Sequence, residues 1–241
     1  MPVLVSFGRS VKNYLENLPT VLGFGLLLFF VFFFMQFSNF FVSSGSVFVF
    51  YSLPDSSPVS LGFVALSVGV FLFFYSVFVT LMVFAVRNNL SRVKLQYYLA
   101  EKIQKFAFKY FVFLFLLSLF SFLLASAFSA IGIPLGIAFF LLFFVYSALM
   151  FVPQVIVVDE SSLVDSLKNN LEFASKNFSS VAFVVIIGIA LVFALSLIEF
   201  VFDYLFFVGN IFSFILAFFF LIPFIETLKT EIYMKKFTLI S

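Results

Sequence analysis

Cysteine and histidine are both absent from the 241-residue chain. Without cysteine there is no disulfide, no thiolate metal site and no sulfur nucleophile. Without histidine the commonest general base and the commonest metal ligand are gone as well. Charge is scarce, at 10% of residues against 64% hydrophobic, a balance foreign to ordinary soluble domains. There is no glycine-rich phosphate loop. Glycines such as Gly23, Gly25, Gly69 and Gly188 lie inside apolar runs instead, where small residues let helices approach closely. The expectation is a chain with no catalytic residues, no metal and no cofactor.

What remains is long apolar runs, with a mean hydropathy of +1.27. A helix needs roughly 20 apolar residues to cross a hydrocarbon core of about 30 Å. Six runs meet that length, at 20–42, 61–86, 110–130, 131–158, 181–202 and 204–225. Gly132 and Pro134 divide the third from the fourth, because proline breaks helical continuity. A weaker break falls near Asp203. The first run has an apolar core, 21–37, that is long for a secretory signal and lacks a small-residue cleavage site after it, so it counts as a span. The 46 phenylalanines are assigned to packing and lipid-facing positions.

Lys and Arg near span ends stay on the cytoplasmic side. With six spans and both termini inside, all 13 basic residues fall on the inner face. Asp55, Glu199 and Asp203 fall outside and the other eight acids inside, giving +5 within and −3 without. The expected location is a prokaryotic cytoplasmic (inner) membrane, with N- and C-termini cytoplasmic.

The stretch SVKNYLEN at 10–17 has an echo in SLKNNLEF at 166–173. Each belongs to an amphipathic segment ahead of an apolar run. In the first, Phe7, Val11, Tyr14, Leu15 and Leu18 recur at helical spacing until Pro19 stops the helix. In the other, Leu163, Val164, Leu167, Leu171, Ala174 and Phe178 form the stripe, with Ser162 and Asp165 as a capping box at its start. A third segment, 91–106, sits in the same place between spans, with Leu95, Leu99, Ile103 and Phe106 on one face. Fold class is therefore all-α: a polytopic membrane helical bundle of six transmembrane helices and about three interfacial amphipathic helices. The whole chain, 1–241, forms one membrane domain, with a threefold internal repeat of units 3–86, 91–158 and 161–226 as the expectation.

The run FVPQVIVVDESSLVDSLKNNLEFASKNFSS and the ending PFIETLKTEIYMKKF, with the opening SVKNYLENLPTVLGFGLLL, resemble a group of prokaryotic membrane proteins. That group includes the membrane region attached to some glycerophosphodiester phosphodiesterases. Pro153, Asp159 or Glu160, Ser166, Lys168, Phe178, Pro223 and Tyr233 stand at the matching positions. The resemblance implies a six-span bundle without the phosphodiesterase activity, which in such fusions belongs to a separate soluble barrel.

Candidate functional residues follow from polar groups near the spans. Arg87, Arg92, Lys94, Lys102, Lys105 and Lys109 are candidate contacts for anionic lipid headgroups, and equally serve positive-inside topology. Their interleaving with an apolar stripe suits lipid and argues against nucleic acid. Pro153, Gln154, Pro223 and Glu226 are a candidate cytoplasmic cleft between two kinked helices, the alternative being that Glu226 meets water at headgroup level. Glu199 and Asp203, four apart, are too few for a hard cation. The partners expected are membrane lipids or another membrane protein. The function expected is non-enzymatic lipid organisation or handling, or service as a membrane-embedded partner subunit. A small-solute or lipid transporter is the first alternative and a lipid-modifying enzyme the second.

Overall fold

The structure, a computed structural model, describes residues 2–38, 40–42, 49–51, 58–90, 99–206 and 209–236. In chain order the helices are α1 (Pro2–Glu16), α2 (Leu18–Ser38), α3 (Pro58–Leu90), α4 (Leu99–Ile131), α5 (Leu135–Ala148), α6 (Val152–Val158), α7 (Leu163–Lys176), α8 (Phe178–Phe206), α9 (Gly209–Leu216) and α10 (Ile222–Met234). A π-helical segment, Ala217–Leu221, joins α9 to α10. Among the described residues the strands form one antiparallel ribbon between α2 and α3, β1 (Phe40–Val42) and β2 (Val49–Tyr51), with Phe41 opposite Phe50. The fold is an all-α polytopic bundle.

Among the described residues five helical stretches are long and apolar enough to cross a membrane: Ala65–Asn89, Lys102–Ile131, Leu135–Val158, Phe178–Leu205 and Ile211–Met234. α2 is a further apolar helix of 21 residues. It ends at Ser38, short of the expected 42, because 40–42 belong to the ribbon. Large apolar side chains on the outward faces of α4, α5 and α8, such as Phe122, Phe139 and Phe193, are exposed. An unbroken apolar surface of this kind belongs against lipid, and the chain is a multi-pass integral membrane protein.

The turn between α4 and α5 follows from Gly132. It takes a left-handed φ of +77°, and the amides of Gly132 and Ile133 bond the carbonyls of Ser129 and Phe128. This is the Schellman pairing, in which a glycine past the helix end lets the last carbonyls find donors. At the other hairpin Asp203 Oδ1 accepts the Gly209 amide at 2.8 Å. A Cβ on Gly209 would come 2.3 Å from the Glu199 carbonyl oxygen, so only glycine allows this approach. The two acids shape a turn.

The core lies toward one end of the bundle, where α2, α3, α4 and α6 bury Phe24, Leu27, Val79, Met82, Phe106 and Ile156. A second cluster joins Phe151, Val155, Phe173, Val184, Leu228 and Tyr233. α10 runs through this interior. Among Pro223 to Met234 all but Ile225 are buried. The last apolar run was expected to end at 225 with a charged tail beyond it. The tail is instead the last three turns of a buried helix, because its charges find partners inside.

Two of the three expected interfacial helices stand as separate elements, α1 and α7. Half of the other segment, 91–98, lies outside the described residues, and its remainder runs unbroken into α4. The first helix stops at Asn17 rather than at Pro19, which occupies the first turn of α2, where a missing amide costs no hydrogen bond.

α1 and α7 meet the next helix in the same way. Asn17 and Asn177 each donate from the side chain to the carbonyl four residues back, Asn13 at 2.7 Å and Phe173 at 3.0 Å. The carbonyls of Asn17 and Asn177 themselves accept the amides three and four residues on, those of Thr20 and Val21 and of Ser180 and Val181. Residues 10–21 and 170–181 share one pattern of buried and exposed positions. The two joints therefore match at an offset of 160 (177 − 17), one helical turn from the 156 (166 − 10) of the letter echo.

Candidate functional site

Two prolines interrupt two helices that meet inside the bundle. Ahead of Pro153, Leu149 and Phe151 lie near φ −95°, ψ 5° in a turn that separates α5 from α6. Ahead of Pro223 comes the π segment, a local widening often found at functional positions. A proline has no amide to offer the carbonyl four residues earlier, so each interruption needs outside donors or acceptors.

The amphipathic helices supply them. Tyr14 of α1 donates its hydroxyl to the Phe219 carbonyl at 2.6 Å, the group Pro223 cannot reach. Asn170 of α7 accepts the Phe151 amide at 3.1 Å and donates to the Ala148 carbonyl at 2.7 Å, closing the gap before Pro153. Asn13 adds a bond from α1 to Glu231 of α10. The inward faces of these helices are polar, with Ser10, Asn13, Ser166 and Asn170 buried, while Val11, Leu15, Val164 and Leu171 are exposed.

The four residues expected to line a cytoplasmic cleft, Pro153, Gln154, Pro223 and Glu226, do come together, but as interior. Gln154 is fully buried and Glu226 is 4% exposed, so the carboxylate does not meet water. Gln154 Nε2 donates to Glu226 Oε2 at 2.9 Å, and Lys229 Nζ holds Oε1 at 2.5 Å. Gln154 Oε1 and Thr80 Oγ1 are buried without a partner. A buried ion pair persists only where its oxygens and protons are hydrogen-bonded, and both Glu226 oxygens are.

Lys229 also lines a groove. A cavity of about 600 Å³ runs between α5, α8 and α10, walled by Tyr146, Met150, Val184, Gly188 and Val192, with Lys229 at its base. It opens beside the exposed Phe143, Ile189 and Phe193, on the apolar surface that faces lipid. A Cβ on Gly188 would meet nothing within 4 Å. Sequence reasoning passed over Lys229, Tyr14 and Asn170. The signal for Tyr14 was the Phe219 carbonyl, which Pro223 leaves without a donor.

Three of the proposed headgroup cations serve the protein itself. Arg87 donates to the Val157 carbonyl at 2.6 Å and to Glu160 at 3.2 Å. Lys102 pairs with Glu160 at 2.8 Å, and Lys109 donates to the Ser161 carbonyl at 2.6 Å. Lys105 is exposed; Arg92 and Lys94 lie outside the described residues. The reason is the acidic link between α6 and α7, which enters the midst of these cations. Partial burial raises the Glu160 carboxyl, but hydrogen bonds from Lys102 and Arg87 outweigh this and hold it below the usual carboxylate range. Asp159 turns the other way, accepting Tyr233 at 2.7 Å and Lys236 at 3.4 Å. Ser162 caps α7 through the Asp165 amide at 3.2 Å, as the capping box predicts.

Among the described residues no three acids gather as a metal site. Comparison with protein-family models, curated proteins and solved structures finds no match. The likeness to the phosphodiesterase-associated membrane group rests on the quoted residues alone; of these, the structure pairs Asp159 with Tyr233 and buries Pro153, Pro223 and Ser166, and leaves Lys168 and Phe178 exposed.

Proposed function

We propose that the protein is a non-catalytic lipid-handling component of a prokaryotic inner membrane, with both termini cytoplasmic, that holds the acyl chain of a membrane lipid in the α5/α8/α10 groove. The observation that carries this reading is the groove itself. Its volume falls within the roughly 300–1,000 Å³ of ligand sites, its walls are apolar, and it opens sideways on the lipid-facing surface rather than toward water. Only a molecule already dissolved in the bilayer has a direct route into such a space. Lys229 reaches the base with its charge neutralised by Glu226, so the groove offers a hydrocarbon chain no bare ion.

The breaks before Pro153 and Pro223 favour transport of that lipid as the second reading, since discontinuous helices meeting at a polar pair are a recurring transporter device. The resemblance to the membrane region of phosphodiesterases agrees with a role among glycerolipids. Native mass spectrometry of the detergent-released protein tests the proposal. A stoichiometric lipid is expected on the wild type, and Gly188→Trp, which fills the groove, should remove it while the melting temperature holds. Equal retention by wild type and variant would sink the assignment. A co-purifying protein with no lipid would replace it with a structural subunit.

A further inference from the structure

At the joint between α7 and α8, two cavities of about 240 Å³ each share Phe173, Asn177 and Lys236 and form one notch. Asn169, Glu172, Lys176, Ser180 and Lys235 complete its polar wall, the Glu172 carboxylate being held by Lys176. Lys176 is paired with Glu172 at 2.6 Å and Lys236 touches Asp159 at 3.4 Å, so cations from α7 and from the end of α10 converge with their local acids already engaged. Burial pulls the Lys235 ammonium below its ordinary value; the Glu231 carboxylate opposes this and the Arg9 guanidinium of α1 adds to it. An anion arriving there would relieve crowding among like charges.

The notch and the groove lie on one seam. Along α8 the spacing Asn177, Ser180, Val184, Gly188 keeps one helical stripe. Along α10 Lys236, Ile232, Lys229 and Ile225 do the same, by residues that line the notch at one end and the groove at the other. Val184, which lines the groove, and Ile232, which lines the notch, belong to one buried cluster. From Asn177 to Gly188 the rise is about 16 Å, close to half of a hydrocarbon core of about 30 Å. The notch lies where α8 enters the apolar layer and the groove lies within it.

We infer that the notch formed by Asn177, Ser180, Lys235 and Lys236 selects the phosphate of an anionic membrane lipid whose chain occupies the groove. This rests on the lipid-handling reading and adds the class of headgroup. Asn177 and Ser180 offer hydrogen-bond groups, and the lysines supply charge, for an ester phosphate that carries no neutralising amine. A zwitterionic headgroup brings its own cation into the same wall and is disfavoured.

The test presents the detergent-solubilised full chain with equimolar dioleoylphosphatidylglycerol and dioleoylphosphatidylcholine, read by native mass spectrometry. With roughly 1 kcal/mol for each of the two basic residues at an anionic surface, the phosphatidylglycerol should be favoured about thirtyfold. Lys235→Gln/Lys236→Gln should bring the ratio near one while total lipid bound stays. Ser180→Asp, which keeps both lysines and sets a like charge in the notch, should do the same. Lys12→Gln/Lys168→Gln, an equal loss of charge at exposed positions elsewhere, should leave the preference intact. An unchanged ratio in both notch variants, or an equal fall in the exposed-lysine control, overturns the headgroup assignment and leaves lipid handling standing. Millimolar inorganic phosphate that displaces the glycerol lipid as well as soluble glycerophosphate does would name a free phosphate as the occupant and overturn the lipid source. No lipid on any form removes the lipid-handling reading itself.

Discussion

The hydroxyl of Tyr14 donates to the carbonyl of Phe219 at 2.6 Å, across 205 residues of chain. Phe219 stands four before Pro223, so its carbonyl is the one that the proline ring leaves without an intrahelical donor. Asn170 does the corresponding work for the break before Pro153. The two amphipathic helices are therefore more than surface floats. Each turns a polar face inward to satisfy the backbone of an interrupted span, and an apolar face outward.

These bonds differ in what their loss exposes, which ranks their variants. Tyr14→Phe strands one partly buried carbonyl, at a cost of about 1–2 kcal/mol. Asn170→Leu strands both a buried amide and a buried carbonyl, and about 2–3 kcal/mol is expected. Thermal melting in detergent should order them wild type, Tyr14→Phe, Asn170→Leu. The reverse order would mean the Phe151 amide finds another acceptor.

The Glu226–Lys229 pair predicts strong non-additivity. Glu226→Gln alone leaves an ammonium in the interior beside Gln154, and Lys229→Met alone leaves a carboxylate there. Each should cost about 3–5 kcal/mol, whereas the double variant removes both charges and should cost far less than the sum. A melting cycle over the four proteins measures the coupling. Additive costs would show that water reaches the pair through the groove.

Sequence periodicity made the apolar helices legible, because lipid-facing Phe, Leu and Val need no partner whose position must be known. The turn at Gly132 and the cap at Ser162 were legible for the same reason, each being a local hydrogen-bond pattern. Residues 226–234 were not. Glu226, Lys229 and Glu231 look like the water-facing end of a span when counted singly, and only the fold brings Gln154 and Asn13 to them. The partners of three basic residues were as hard to see: Arg87, Lys102 and Lys109 look solvated until the 159–161 link is set among them. The shared joint pattern lies one turn out of register from the letter echo, since a shift of four residues returns a helix to nearly the same face.

Register makes its own prediction. If the units superpose at an offset of 160, Asn17 and Asn177 are equivalents, and Asn17→Ala and Asn177→Ala each lose one side-chain bond to a carbonyl that ends a helix. Costs of about 1 kcal/mol are expected for each, and the pair should add, because the two joints share no partner. Melting curves of the single and double variants check this. A large cost at Asn17 beside none at Asn177 would refute equivalence at the joint.

Glu160 sets the acid limit of the fold. It is a non-glycine residue at φ +54°, a conformation that costs roughly 1–2 kcal/mol, and it bridges Arg87 of α3 and Lys102 of α4. Its folded carboxyl lies below the ordinary value, so the folded state binds its proton less readily than the unfolded chain does. The bridge therefore contributes fully above the unfolded carboxylate range, about pH 4.3, and its contribution is lost as pH falls through the lower folded value. Wild type should melt above Glu160→Gln at neutral pH and converge with it in acid. Glu160→Gly separates the two roles, because glycine accepts the backbone angle without strain but cannot bridge. Its melting temperature should exceed that of Glu160→Gln at every pH, with a pH dependence as flat; a glycine variant that melts below the glutamine variant would show that the side-chain contacts at 160 outweigh the strain even without charge.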